Sequence, residues 1–351
     1  MKARSLAFGA LVSLASLAAA LGAVELSLRF FHEYLPRDAK IVWIRSRLMR
    51  GLTLHHKHPV LLWAPAPSFS LRYPDPRFDW RLSHVPLPDA PDVGFRGDPP
   101  VSREQDLVVI GDSYTYAFEV DQDSTWVERL KRSTGLRAVN LAVTSYGTSQ
   151  EADVYRLFGA SFRHKAVLQV IATNDPLDDV FYNEVNARRD PGVLNLCWFL
   201  GVPQGSWRCR AAGALAQRSV LGAIVVFELQ AYLKRLSADD PIMIRGTDMI
   251  CADVRATRDL ARKRGARYGA VLIGLWDIKR LTPLKARLDA CLAAADVPSL
   301  QLDDVHEAMR LGRPYVGSFD WHWNDEGHAY VAERIESFLR AQRWFSLPPK
   351  R

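Results

Sequence analysis

The sequence predicts an α/β protein: a mostly parallel sheet covered by helices on both faces, preceded by one N-terminal hydrophobic helix. Three observations predict it. Short all-apolar runs such as Leu107-Val108-Val109-Ile110 read as strands buried on both faces. From residue 107 onward such runs alternate with capped helical segments, the pattern of strand-helix-strand units. The chain also begins with an uncharged, Leu- and Ala-rich stretch over residues 5–24, which as a helix spans roughly the 30 Å of a bilayer's hydrocarbon core.

Lys2 and Arg4 precede that stretch and predict a cytoplasmic N-terminus, with the rest of the chain exported. Small residues at Ala18-Ala19-Ala20 and Gly22-Ala23 suit a peptidase, so a cleaved signal peptide is the competing reading. The length of the run, and its continuation from Glu25 to Phe31, favour an uncleaved anchor over residues 1–31. Residues 32–100 are rich in Pro, Trp and Arg, and prolines punctuate short extended pieces. They read as a membrane-proximal arm packed on the main domain. Within the arm, His55-His56-Lys57-His58 is expected to be an exposed polar linker rather than a metal site.

The main domain is expected over residues 101–345. After the strand at 107–110, Thr125 with Glu128 forms a capping box and Gly135 stops the helix between them. A second strand is expected at 138–143, then a helix capped by Thr148 and Glu151 that carries Tyr155, Phe158 and Phe162. A third strand covers 166–172. An insertion follows at about 178–248, with an apolar helix candidate at 213–236 that Glu228 and Gln230 interrupt; a lid or packing helix suits it better than a second span. A helix near 250–264 closed by Gly265, a strand at 270–276, a helix at 284–294, a strand near 299–302 and a last helix from about 325 to 342 complete the pattern.

Composition narrows the function classes. With 48% hydrophobic and 24% charged residues, the chain is neither collagen-like nor disordered. Its formal charge of +7 is modest, and no zinc-finger spacing, RNA-binding signature or dense basic run is present, so no nucleic-acid partner is expected. The four cysteines fit an oxidising compartment, with Cys197–Cys209 and Cys251–Cys291 the expected pairs and reduced buried thiols the alternative. None sits in a metal-binding or CxxC pattern, and neither a metal nor another cofactor is expected.

Four short signals, each at an expected strand end, carry the chemistry. The first is Gly111-Asp112-Ser113-Tyr114-Thr115. A serine hydroxyl attacks only when a base takes its proton and the chain holds it exposed, and Gly111 permits a tight turn there. The second is the loop around Ser145 and Gly147, and the third is Asn174-Asp175. The Ser113 N–H, a backbone N–H of the second loop and the Asn174 amide are candidate donors to a developing oxyanion, each contributing about 3–4 kcal/mol by deletion. Taken singly, Asn174 reads more readily as a turn residue starting an Asx motif. The fourth signal is Asp320-Trp321-His322-Trp323. Histidine is the natural base for a serine, and a carboxylate two residues earlier can hold its other ring nitrogen. His328 falls inside the last helix and reads as a packing residue. Trp321 and Trp323 are the candidate substrate wall.

In this order and spacing, the four blocks resemble those of the SGNH (GDSL-like) hydrolase family over roughly residues 92–342. Gly94-Phe95-Arg96-Gly97 is similar to the lead-in of its exported bacterial members, and Asp-x-His-Trp to polysaccharide O-acetylation proteins. The resemblance implies a three-layer α/β/α sandwich with a flavodoxin-like sheet, Ser113 as nucleophile, His322 and Asp320 completing the triad, and Asn174 and Ser145 with Ser113 as oxyanion donors. Ser145 stands where relatives usually carry glycine, and so do Ala117 and Glu119. The expected function is hydrolysis of small acyl esters of an envelope or secreted polysaccharide, in a single-pass protein whose catalytic domain is periplasmic. An O-acyltransferase using the same site, a low-turnover glycan-binding or assembly protein, and a membrane lipase remain alternatives.

Overall fold

The computed structural model describes residues 2–31, 55–72, 81–97, 102–117, 120–188, 207–222, 224–225, 239–273, 281–302 and 322–349. These residues fall into two compact units.

The chain opens with α1 (Lys2–Phe30), an unbroken helix. Its segment Leu11–Phe30 has a mean hydropathy of 1.9, long and apolar enough to cross a membrane, and none of that segment is buried. Next come two small antiparallel sheets. One pairs β1 (His55–His58) with β2 (Leu62–Pro65), and the other orders β3 (Phe69–Arg72), β4 (Arg81–Leu87) and β5 (Ala90–Arg96). Leu61, Trp63, Ala64, Leu82 and Phe95 are buried, so this stretch packs rather than merely links, and it belongs to the same compact unit as the parallel sheet. The histidine cluster is therefore not an exposed linker. It forms β1, His58 Nδ1 accepts the amides of Val60 and Leu61 at 3.2 and 3.0 Å, and His55 Nε2 meets Thr144 Oγ1 at 3.3 Å.

The parallel sheet begins with β6 (Leu107–Ile110), followed by the single turn α2 (Ser113–Tyr116) and α3 (Trp126–Thr134). Thr125 Oγ1 accepts the Glu128 amide at 3.2 Å and Gly135 closes α3 in the left-handed region at φ 72°, as the capping pattern predicts. β7 (Ala138–Asn140) is shorter than expected. Beyond it the Asn140 side chain replaces ladder bonds, accepting Ala142 N at 3.0 Å and donating to Thr115 O at 2.9 Å. α4 (Thr148–Leu157) is not closed by a Thr148–Glu151 box: Gly147 is its N-cap, the Thr148 hydroxyl donates to Asp179, and Glu151 is buried. β8 (Ala166–Ala172) is buried at every position.

α5 (Asp175–Arg188) then occupies the start of the expected insertion, so the helix after β8 begins earlier than the sequence pattern suggests. Within the insertion, α6 (Trp207–Arg218) starts before the expected apolar helix and stops at Ser219. α6 belongs with α1 to the first unit. There Glu25 accepts the Ser219 hydroxyl at 2.9 Å and the Val220 and Leu221 amides at 3.0 Å each, while Arg29 Nη2 donates to Arg218 O at 2.7 Å. Cys197 lies outside the described residues, and with it the expected 197–209 pair.

α7 (Pro241–Lys263), β9 (Arg267–Ile273), α8 (Thr282–Ala294), β10 (Ser299–Gln301) and α9 (Asp325–Ala341) complete the second unit. The five parallel strands run β10-β9-β8-β6-β7. In chain order that is 2-1-3-4-5, the flavodoxin-like arrangement. One sheet face, carrying Leu107, Val109, Leu168, Val170 and Val271, is covered by Trp126 and Leu130 of α3 and Val331, Ile335 and Leu339 of α9. α4, α5 and α7 pack together on the opposite side, giving three layers.

A disulfide joins Cys251 of α7 to Cys291 of α8, 40 residues apart, with a Cα–Cα distance of 5.9 Å. Closing a loop of that length removes about 4 kcal/mol of chain entropy from the unfolded state. Replacing both cysteines by serine should lower the unfolding free energy by about that amount in urea titrations; an unchanged midpoint and slope would contradict it.

Candidate active site

Strand order reverses at β6, which has β7 on one side and β8 on the other. Loops leaving the carboxyl ends of strands at such a switch diverge and leave a crevice, where sheets of this kind place ligands. Ser113 follows β6, Ser145 follows β7, Asn174 follows β8 and His322 precedes α9.

The serine turn is tightly determined. Asp112 caps α2, its Oδ1 accepting the Tyr114 amide at 3.0 Å. A Cβ on Gly111 would stand 2.6 Å from Thr115 Oγ1 and 3.1 Å from Val170 Cβ. Gly111 is not in the left-handed region, so close approach of backbone and neighbouring side chains, rather than an unusual φ, demands glycine there. The unusual φ comes four residues after the serine, where Ala117 closes α2 at 63°. A residue with a Cβ pays about 1–2 kcal/mol for that conformation. Glycine is the usual occupant of such a position, which accounts for the departure noted at Ala117 in the sequence.

His322 Nε2 lies 2.7 Å from Ser113 Oγ, a hydrogen bond between residues 209 apart in sequence. The imidazole is largely buried, and the Tyr114 ring packs on it with centroids 4.9 Å apart. The same tyrosine packs on Trp323 at 4.9 Å. Asn324 caps α9 by accepting the Gly327 amide at 2.9 Å, which stops the helix from absorbing the histidine. Asp320 and Trp321 lie outside the described residues.

Two expected roles meet a different environment. Trp323 is 1% exposed and belongs to the core under α9, so it has no face to offer a substrate; its alternation with His322 turns it inward. His328 is buried edge-on against Trp323, the packing role expected of it, and burial holds its pKa well down. Asn174 is exposed, but its Nδ2 donates to Asp178 Oδ2 at 2.7 Å, and its amide also lies close enough to ease the charge on Asp112. Ser145 is exposed at φ 62°, the left-handed conformation that explains why glycine is usual there.

Sequence reasoning missed a set of carboxyls beneath this rim. Asp112, Glu151, Asp175 and Asp179 are buried, and Asp253 is nearly so. Burial raises Asp112 to about 6 against the pull of the Tyr114 amide and His322, and raises Asp253 to about 6. Glu151, Asp175 and Asp179 are raised well above the usual range by burial, with neighbouring acids adding to it. Polar partners hold several of them: Gln169 donates to Glu151 at 2.8 Å, the Ala172 amide to Asp175 at 2.9 Å, and the Ser149 amide and hydroxyl to Asp179 and Asp253 at 2.7 and 2.6 Å.

No family model matches the chain, and no curated protein matches it. Solved structures similar to it include a lipolytic protein of the G-D-S-L family from Veillonella parvula, 14% identical, covering 67% of this chain and 98% of that one at a TM-score of 0.40. A psychrotrophic esterase, EstA, from a Pseudoalteromonas species is 8% identical over 69% of this chain and 99% of its own, at 0.42. A two-domain esterase active on acetylated mannans is 11% identical over 71% of this chain and 52% of its own, at 0.40.

The buried acids set a pH dependence of stability. A carboxyl whose folded pKa is raised contributes fully below its unfolded value and loses that contribution as pH rises through the folded one. His55 and His84, both held near 4 by burial, act oppositely and add stability as pH rises from about 4 to the ordinary imidazole value of about 6.5. Above that the histidines are silent and the acids decide the sign. Tm should therefore fall as pH rises above about 6.5. Glu151→Gln should flatten that fall; a variant as pH-sensitive as wild type would refute the assignment.

Proposed function

We propose that this chain is a serine ester hydrolase of the SGNH type, tethered to the cytoplasmic membrane by α1 with its catalytic unit in the periplasm. The observation that carries the reading is the 2.7 Å approach of Ser113 Oγ to His322 Nε2 at the switch point of the sheet. An imidazole at that distance can take the hydroxyl proton as the oxygen attacks.

In the proposed reaction, Ser113 Oγ bonds to the acyl carbon and the electron pair moves onto the carbonyl oxygen. His322 receives the serine proton, and Asp320 orients the imidazole from two residues upstream. Collapse of the tetrahedral species breaks the bond to the alcohol oxygen, which leaves with the proton from His322. Water then attacks the acyl-serine, gives a proton to His322, and the serine oxygen recovers it as the acid departs. The Ser113 and Ser145 amides are the proposed oxyanion donors. Asn174 joins them by turning one of its two N–H groups away from the carboxylates it now serves.

Small acyl groups on an envelope or secreted polysaccharide are the proposed substrate. The span at the N-terminus, the basic residues before it and the Cys251–Cys291 bond support an exported protein held at a membrane. With a sugar hydroxyl in place of water, the same steps transfer the acyl group.

The chemistry is tested with p-nitrophenyl acetate and a fluorophosphonate probe. Wild type should release p-nitrophenol and take up the probe; Ser113→Ala should lose about a thousandfold or more in kcat/KM and all labelling. Equal rates for the two proteins would end the hydrolase reading.

A further inference from the structure

The antiparallel sheet β3–β5 delivers two buried polar side chains to the turn that carries Ser113. Arg96 is 1% exposed. Its Nη1 donates to Tyr116 O at 2.8 Å, its Nη2 to Val120 O, and its Nε to Gln122 Oε1 at 3.1 Å. The first two carbonyls flank Ala117, the residue in the left-handed conformation. The third partner, Gln122, passes the contact on to Glu128 in the cap of α3 at 3.2 Å. One guanidinium thus grips the chain on both sides of the strained residue and ties it to the following helix.

His84, on β4, meets the same turn from its ring face. Its Nδ1 is 3.0 Å from Ala66 O and its Nε2 is 2.6 Å from Tyr116 Oη. A carbonyl only accepts, so Nδ1 carries the proton, and Nε2 of the neutral ring accepts the tyrosine hydroxyl. Burial keeps that ring neutral. Tyr116 is wholly buried beneath these groups, with the guanidinium 5.8 Å from its ring centre. The sheet is pressed into place by Gly94, on which a Cβ would collide with the carbonyls of Ala66 and Pro67 and with His84. The block Gly94-Phe95-Arg96 therefore combines a glycine for close approach with an arginine for the turn.

We propose that Arg96, seconded by His84, is a positioning residue: it holds the left-handed turn after α2 so that Ser113 Oγ stays in register with His322. Its kinetic consequence rests on the hydrolase reading above, while its structural consequence does not. A nucleophile displaced by about 1 Å loses rate on the order of a hundredfold without losing substrate contacts made elsewhere. Glycine adopts the left-handed region freely, so Ala117→Gly should keep the turn formed when the clamp is gone.

The test compares full-length wild type, Arg96→Met, Arg96→Met with Ala117→Gly, Arg96→Lys and His84→Phe. Three readings are taken: amide hydrogen exchange of peptides spanning 111–122, fluorophosphonate labelling rate, and kcat and KM on p-nitrophenyl acetate. Arg96→Met should speed exchange in that peptide while β8 stays protected. It should cut labelling and kcat by at least about tenfold with KM within about threefold. Adding Ala117→Gly should recover at least threefold of the labelling and restore protection. A folded Arg96→Met with labelling and exchange close to wild type overturns the proposal, and so does a double variant with no recovery. If Arg96→Met fails to fold, Arg96→Lys and His84→Phe decide by the same readings, and unchanged labelling and exchange in both overturns it. A wild type that never labels defeats the hydrolase reading alone, because the exchange comparison still tests the turn.

Discussion

One hydrogen bond, from Ser113 to His322, joins the first third of the chain to its last tenth, and the architecture of the second unit serves to keep its two ends still. On one side, β6 ends against β8, and Gly111 sits so close to Val170 and Thr115 that the serine turn has no room to slide. On the other, Trp323 is sunk into the core beneath α9 and Asn324 caps that helix, so His322 is anchored by the two residues that follow it. Tyr114 bridges both sides, packing on the histidine and on the tryptophan. A hydrogen bond is directional and short-ranged, and here packing rather than the bond itself sets its geometry.

The rim rests on an unusual amount of buried polarity. Apolar residues would fill the layer between sheet and helices at less desolvation cost, yet Asp112, Glu151, Asp175 and Asp179 lie there. Burial raises their pKa values, and amide and hydroxyl donors offset part of the cost. Several of these bonds reach the loops that carry the chemistry. Asp179 takes the Ser149 amide and the Thr148 hydroxyl at the start of α4, directly after the Ser145 loop, and Gly147 is glycine because Asp179 occupies the space a Cβ would need. The acids thus hold the second loop as Asp112 holds the first.

The small antiparallel sheets supply the remaining constraint. Their contribution is a set of polar contacts made on the candidate-site loops: Arg96 and His84 on the serine turn, His55 on Thr144, and the Trp63 carbonyl on the Tyr146 hydroxyl. Two loops that must hold left-handed residues bearing side chains, Ala117 and Ser145, are the two that receive these contacts. Strain in a functional turn persists only where its surroundings over-determine it, and β1–β5 are those surroundings.

Local signals determined much of this protein. The apolar runs placed β6 and β8 to the residue, the Thr125–Glu128 and Gly135 pattern bounded α3, and the N-terminal run marked a helix of membrane length. Each depends on neighbours within a few residues, where periodicity and capping act. The alternation of strands and helices likewise implied the parallel sheet, because crossover connections leave few other arrangements. Only the tertiary structure decided what met what. Trp323 became core instead of a substrate wall, Thr148 turned to Asp179 instead of capping its own helix, Gly111 proved to be needed for close packing, and Arg96 reached the serine turn from another sheet. Such outcomes depend on surfaces brought together from distant parts of the chain, and a spacing pattern along a sequence carries no record of which surfaces will touch.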